Sequence, residues 1–112
     1  MTDMPNTLNE YAAEAHKIST DHGFNDAHRN FGEVIALIHS ELSEALEADR
    51  SGEPLVWFNG PSKKPEGAAI ELIDAIIRIL DYLGGTDLDI DGLYRAKSDY
   101  NQTRPRLHGK SY

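Results

Sequence analysis

The stretch GAAIELIDAIIRILDYL, residues 67–83, constrains the fold of this chain more than any other. From residue 70 to residue 83 every side chain is aliphatic or tyrosine except four charged ones, Glu71, Asp74, Arg78 and Asp81. On a helix turning about 100° per residue, these four project within about 80° of one another. A helix that is apolar on most of its surface is usually buried. Its charged stripe must then face a metal ion, a partner charge or a polar cleft, because a lone buried carboxylate costs several kcal/mol.

Two interpretations of this charged stripe are open from the segment alone. Glu71 and Asp74 lie one helical turn apart, where like charges repel by a few tenths of a kcal/mol, and a cation between them would make the pair favourable. Alternatively, Arg78 neutralises Asp74 or Asp81 as a structural ion pair.

The length and the charge of the chain bound what it can do. A chain of 112 residues predicts one domain, spanning 1–112, with a modest core and room for an oligomer interface. The net charge of −8 is uneven, because residues 92–112 carry +4. An acidic body argues against duplex DNA as the main ligand, so we expect no stable nucleic-acid partner. The distribution suits a small polyanion that a cation holds at one end and basic side chains hold at the other.

The chain contains no cysteine, which excludes a disulfide framework, a zinc–thiolate site and a cysteine nucleophile. No apolar run reaches the roughly 18 residues of a membrane span. The N-terminal sequence lacks the basic and apolar regions of a secretory signal. We therefore expect an intracellular, cytoplasmic protein with no membrane partner.

Apolar periodicity predicts four helices, over residues 8–19, 31–50, 67–83 and 90–102. Thr7 followed by Glu10 is typical of a capping box at the start of the first helix. Residues 51–66 contain two glycines and three prolines and predict a loop. With no alternating strand pattern, the chain is expected to be an all-α, four-helix bundle.

Exposed aromatic residues in the predicted loops leave two alternatives each. Phe24 either stacks on a nucleotide base or fills the core. The LVWF segment, residues 55–58, either covers a ligand or packs into a subunit interface.

Two acidic pairs stand on the second and third predicted helices, Glu41-x-x-Glu44 and Glu71-x-x-Asp74. The 26 residues between the pairs allow the two helices to run antiparallel, so that the pairs face each other as a four-carboxylate cluster. Ligands that are all oxygen atoms suit Mg²⁺ or Mn²⁺ rather than zinc. The five histidines do not have ligand spacing, and none is assigned to a metal.

A basic and polar face recurs at helical spacing on the last helix, at Lys97, Tyr100, Asn101 and Arg104. If this face docks beside the carboxylates, it binds the phosphates that the metal does not.

These features together resemble the MazG-like, all-α nucleoside triphosphate pyrophosphohydrolases. The resemblance runs from about residue 31 to the end, through IALIHSELSEALEA, AIELIDAIIRILDYL and KSDYNQTRP followed by HGKSY. The family pattern is ExxE, a gap of roughly a dozen to under thirty residues, and ExxD. It implies magnesium-dependent cleavage between the α and β phosphates, with a nucleoside monophosphate and pyrophosphate as products. Family members usually work as homodimers or homotetramers, with the cleft formed between subunits.

The resemblance also implies roles for individual residues. It implies metal binding and catalysis for Glu41, Glu44, Glu71 and Asp74. Our own hypothesis for the mechanism is that Glu41 or Glu44 orients or deprotonates the attacking water. It implies substrate contacts for Lys97, Tyr100, Asn101 and Arg104.

The chain departs from the family at one point. Many relatives carry an extra glutamate beside the first pair, where Ser40 and Ser43 stand here, and Glu47 is a candidate replacement. Three rival functions remain: a phosphoribosyl-ATP pyrophosphohydrolase, a dimeric dUTPase, and a non-catalytic helical interaction module.

Overall fold

Four α-helices and one short β-hairpin make up most of residues 4–109, the part of the chain that the computed structural model describes. The elements are α1 (Leu8–Asp21), α2 (Phe31–Arg50), β1 (Trp57–Asn59), β2 (Lys64–Glu66), α3 (Ala68–Gly84) and α4 (Ile90–Thr103), followed by a 3₁₀ turn (Arg106–Gly109). The predicted helices are confirmed to within two residues at each end, and so is the all-α class. The last three residues of HGKSY lie outside the described range.

The hairpin is the element that the sequence did not predict. β1 and β2 pair antiparallel, with Trp57 opposite Glu66 and Asn59 opposite Lys64. Three-residue strands are too short to show an alternating pattern, which needs four residues or more. The hairpin leads directly into α3, where Gly67 has a φ of 116° and a side chain would collide with the carbonyl of Leu55.

Helix α3 lies at the centre, and α1 and α2 both run antiparallel to it. Along α1, Ala12 lies against Gly84 and His16 lies against Asp81. Along α2, the ring of Phe31 is 5.3 Å from that of Tyr82 at one end. At the other end, the acidic pair of α2 faces the acidic pair of α3.

Small residues occupy the interior of this three-helix arrangement. Among the residues whose burial the structure describes, the buried apolar ones are all alanines, namely Ala12, Ala45, Ala48, Ala68 and Ala75. No large side chain in the described residues is fully buried. The helices therefore approach closely through alanine and glycine, while their large aliphatic side chains point elsewhere.

The large side chains of α3 remain half-exposed over most of its length. Leu72, Ile73 and Ile76 are each 47–48% exposed. The radius of gyration is 16.8 Å, against roughly 13 Å for a compact domain of this length. Among the described residues, no helix is long and apolar enough to cross a membrane.

Helix α4 attaches to α1 through reciprocal capping at their N-termini. The Asp91 carboxylate accepts hydrogen bonds from the backbone N–H groups of Leu8 and Asn9, at 3.0 and 3.1 Å. In return, the Asn9 side chain accepts from the N–H of Ile90 at 2.7 Å and donates to Asp89 at 2.8 Å. Asp89 is also the N-cap of α4. These polar contacts satisfy helix-terminal donors and orient α4.

Replacing Asp91 with alanine should lower the free energy of unfolding by about 2 kcal/mol, because two charge-assisted hydrogen bonds to orphan helix donors are lost. Urea denaturation followed by circular dichroism measures this change. The matched control is Asp87→Ala, since Asp87 is exposed in the preceding loop. Equal effects of the two substitutions would show that Asp91 does not hold α4 on α1.

Candidate functional site

Three of the four predicted carboxylates converge at the α2–α3 contact. An oxygen atom from each of Glu41, Glu44 and Glu71 lies within 4.8 Å of the others. Glu41 is buried, Glu71 is half-buried and Glu44 is exposed to solvent. We call these three residues the carboxylate triad. Asp74, one turn along α3 from Glu71, lies outside the triad but lines a cavity together with Glu41.

Arg78 is the counter-ion of this cluster. Its Nε donates a hydrogen bond to Oε1 of Glu41 at 2.9 Å, across the two helices. The alternative ion pair within α3, between Arg78 and Asp74 or Asp81, is not formed among the described residues. Asp81 instead accepts from His16 Nδ1 at 3.0 Å. Helical spacing favoured partners on the same helix, whereas packing brings Glu41 closer.

Crowding of the carboxylates changes their acidity. Burial raises the pKa of Glu71 from its ordinary value near 4.5 to about 7, and hydrogen bonding to Glu41 and Glu44 adds to the rise. Burial and the charge of Glu41 also raise the pKa of Asp74, while the charges of Arg78 and Lys64 oppose that rise. The cluster therefore carries more negative charge at neutral pH than its surroundings stabilise, which favours binding of a cation.

Two adjoining cavities lie in the groove between α1 and α2, above α3. The carboxylate-side cavity, of about 460 Å³, is lined by Glu41 and Asp74 together with Tyr11, Ile18 and Phe24. The histidine-side cavity, of about 500 Å³, is lined by His16, His28, Val34, Leu37 and Tyr82. Three residues, Arg29, Arg78 and Asp81, line both cavities. Both volumes suit a small-molecule ligand.

The aromatic residues of the loops take different positions. Phe24 is 57% exposed and lines the carboxylate-side cavity, so it does not fill the core. Trp57 is half-buried and its indole N–H donates to Glu53 at 3.0 Å. Phe58 beside it is exposed on the hairpin.

The predicted substrate-binding face of α4 is not beside the carboxylates within one chain. α4 packs chiefly against α1, and none of Lys97, Tyr100, Asn101 and Arg104 lines either cavity. Three of them form a local cluster, with Lys97 Nζ 5.2 Å and Arg104 Cζ 5.8 Å from the centre of the Tyr100 ring.

Sequence reasoning missed other residues of this site. Arg29 lies in the loop after α1, His16 on α1 and Lys64 on β2, so none of them is on the two helices that carry the acidic pairs. Among the candidates that it did weigh, Glu47 is exposed on α2 and lies outside the triad. The hydroxyl of Ser40 donates to the carbonyl of Leu37 at 2.7 Å.

Comparisons of the chain with protein-family models, with curated proteins and with solved structures find no match. The MazG-like resemblance therefore stays a prediction.

The raised pKa of Glu71 predicts how the stability of the metal-free protein varies with pH. Between pH 4.5 and 7 the folded protein holds a proton that the unfolded chain has released, so the free energy of unfolding falls as pH rises. Glu71→Gln should remove most of this fall and stabilise the protein at pH 8 by about 1 kcal/mol.

Urea denaturation in the presence of EDTA, from pH 5 to pH 8, measures this dependence. Glu47→Gln, at an exposed position of α2, should keep the wild-type profile. If the free energy of unfolding of Glu71→Gln falls with pH as steeply as that of the wild type, the raised pKa of Glu71 does not cause the fall and the triad is not crowded.

Proposed function

We propose that this protein is a magnesium-dependent nucleoside triphosphate pyrophosphohydrolase, which cleaves between the α and β phosphates and contributes to nucleotide-pool control. The observation that carries the proposal is the carboxylate triad, in which two antiparallel helices hold three carboxylates within 4.8 Å of one another. All-oxygen ligand sets of this kind suit Mg²⁺, with Mn²⁺ as a substitute. The adjoining groove has the volume for a nucleotide.

The proposed roles follow from the position of each side chain. Glu41, Glu44 and Glu71 would hold Mg²⁺, and Asp74 would complete the acidic set. Bound Mg²⁺ supplies charge neutralisation and activation of water in such reactions. Glu44 is the carboxylate of the triad that solvent reaches most easily, and it orients or deprotonates the attacking water.

A homo-oligomer, a dimer or a tetramer, is part of the proposal. The half-exposed aliphatic face of α3 supports it, because monomers rarely leave a contiguous apolar patch of this kind uncovered. Assembly would also bring the α4 face of one copy, with Lys97 and Arg104, towards the carboxylates of another. In such an assembly the predicted substrate-binding residues of α4 could contact the substrate, although they lie away from the triad of their own chain.

The test is release of pyrophosphate from a panel of ribo- and deoxynucleoside triphosphates, with and without Mg²⁺. The panel includes dUTP and phosphoribosyl-ATP, which separate the two rival enzymes. Glu44→Gln and Asp74→Asn should each lower kcat/KM about 100-fold or more, because each replaces an anionic carboxylate with a neutral amide that binds the cation more weakly. The metal-free variants should stay folded, and Asp74→Asn should be at least as stable as the wild type, since the pKa of Asp74 is raised.

Asp49→Asn is the matched control, because Asp49 is an exposed carboxylate on the same helix as Glu44. It should keep wild-type activity. Release of pyrophosphate that needs no divalent cation, or full activity in Glu44→Gln and Asp74→Asn, would refute the proposal.

One observation favours a second candidate, a non-catalytic helical interaction module. The Arg78–Glu41 ion pair shows that a protein cation already neutralises part of the acidic cluster. The two candidates differ in their response to metal.

A metal site predicts that Mg²⁺ raises the free energy of unfolding by about 2.7 kcal/mol at a concentration a hundredfold above Kd. Thermal denaturation with and without Mg²⁺ measures this, with Glu71→Gln as the variant that should lose most of the effect. An ion-pair network alone predicts no stabilisation by Mg²⁺ beyond that seen with an equal ionic strength of NaCl.

A further inference from the structure

The positively charged side chains that the fold brings to the carboxylate triad are not those of α4. Arg78 contacts Glu41 directly, and Arg29 lies in the loop between α1 and α2, at the boundary of the two cavities. We infer that Arg29 and Arg78 bind the phosphate groups of the substrate, within the same chain as the carboxylate triad. The inference rests on the proposed function, because it takes a nucleoside triphosphate as the ligand of the groove.

Arg78 has the donors for this role. Within the described residues, only its Nε forms a hydrogen bond, and the four N–H groups of Nη1 and Nη2 have no partner among them. Its side chain is 37% exposed, whereas that of Glu41 is 11% exposed. One edge of the guanidinium therefore holds Glu41 while the rest faces the groove, where it can bind two phosphate oxygens at once.

Arg29 supplies the second positive charge. It is half-buried and lines both cavities, yet it lies within ion-pair distance of no carboxylate in residues 4–109. The only ion pair that either arginine makes there is that of Arg78 with Glu41. A half-buried guanidinium without an anionic partner is costly in a protein, and a phosphate would provide that partner.

The surrounding charges predict that this anion site depends on metal. Glu14, Glu41, Asp74 and Asp81 also line the carboxylate-side cavity. Four carboxylates against two arginines repel a bare polyanion. A divalent cation on the triad reverses this balance, so pyrophosphate should bind tightly only when Mg²⁺ or Mn²⁺ is present.

Isothermal titration of inorganic pyrophosphate into the full-length protein, with saturating Mg²⁺, tests the inference without any turnover. Arg29→Gln and Arg78→Gln should each weaken pyrophosphate binding at least tenfold. Arg95→Gln is the matched control, because Arg95 is exposed on α4 and pairs with Asp99 at 3.2 Å. It should bind pyrophosphate within twofold of the wild type.

A second titration, with Mn²⁺ alone, separates a phosphate-binding Arg78 from a structural one. Arg78→Gln should bind Mn²⁺ as tightly as the wild type or more tightly, because Nε no longer competes for Oε1 of Glu41. A purely structural ion pair predicts the opposite, namely weaker Mn²⁺ binding together with a loss of stability. Should Arg78→Gln fail to fold, Arg78→Lys retains the charge but not the planar fork, and Arg29→Gln tests the site independently.

Three results would overturn the inference: no pyrophosphate binding by the wild type with Mg²⁺, equal binding by the wild type and both arginine variants, or an equal loss in Arg95→Gln. Its failure is distinguishable from failure of the proposed function. A wild type that cleaves triphosphates, with variants that bind pyrophosphate normally, refutes only the role of the two arginines. A wild type that binds Mg²⁺ and pyrophosphate through these arginines but cleaves no triphosphate refutes only the proposed reaction.

Discussion

Repulsion among carboxylates held together by the contact of α2 with α3 is the interaction on which this site depends. Glu41, Glu44 and Glu71 converge from two helices, and Asp74 lies close by. Within residues 4–109, Arg78 is the one cation that bonds directly to the triad. Burial, hydrogen bonding to Glu41 and Glu44, and the neighbouring negative charges together raise the pKa of Glu71 to about 7, so ionising Glu71 in that arrangement is costly. Binding of a divalent cation would offset this electrostatic cost, and it is the kind of ligand that a set of carboxylate oxygens favours.

The packing that creates the cluster also explains the incomplete burial of the chain. Among the described residues, those buried on α2 and α3 are alanines apart from Glu41, so the two helices approach closely enough to bring carboxylates from both together. With alanines at the buried positions, Leu72, Ile73 and Ile76 of α3 remain exposed, and only another copy or another protein would bury them. The proposed active site and the proposed assembly are thus two consequences of one packing mode.

Much of this arrangement could be predicted from the sequence, because it depends on local spacing. Apolar periodicity placed α2 at residues 31–50, as observed, and ExxE with ExxD across a 26-residue gap placed the acidic pairs opposite each other. Contacts between elements were harder to predict. Spacing shows which residues share a face of α4, but not that Asp91 attaches this helix to α1. It also cannot show that Arg78 reaches across to Glu41.

Calorimetric titration of Mg²⁺ into the metal-free protein near pH 7, in two buffers with different ionisation enthalpies, tests the central claim most directly. If the carboxylate triad is a metal site, Mg²⁺ binds and displaces a fraction of a proton, about half, because Glu71 must ionise to become a ligand. Glu71→Gln should bind Mg²⁺ more weakly and release no proton. Absence of Mg²⁺ binding at millimolar concentration, or binding that Glu71→Gln leaves unchanged, would contradict the account.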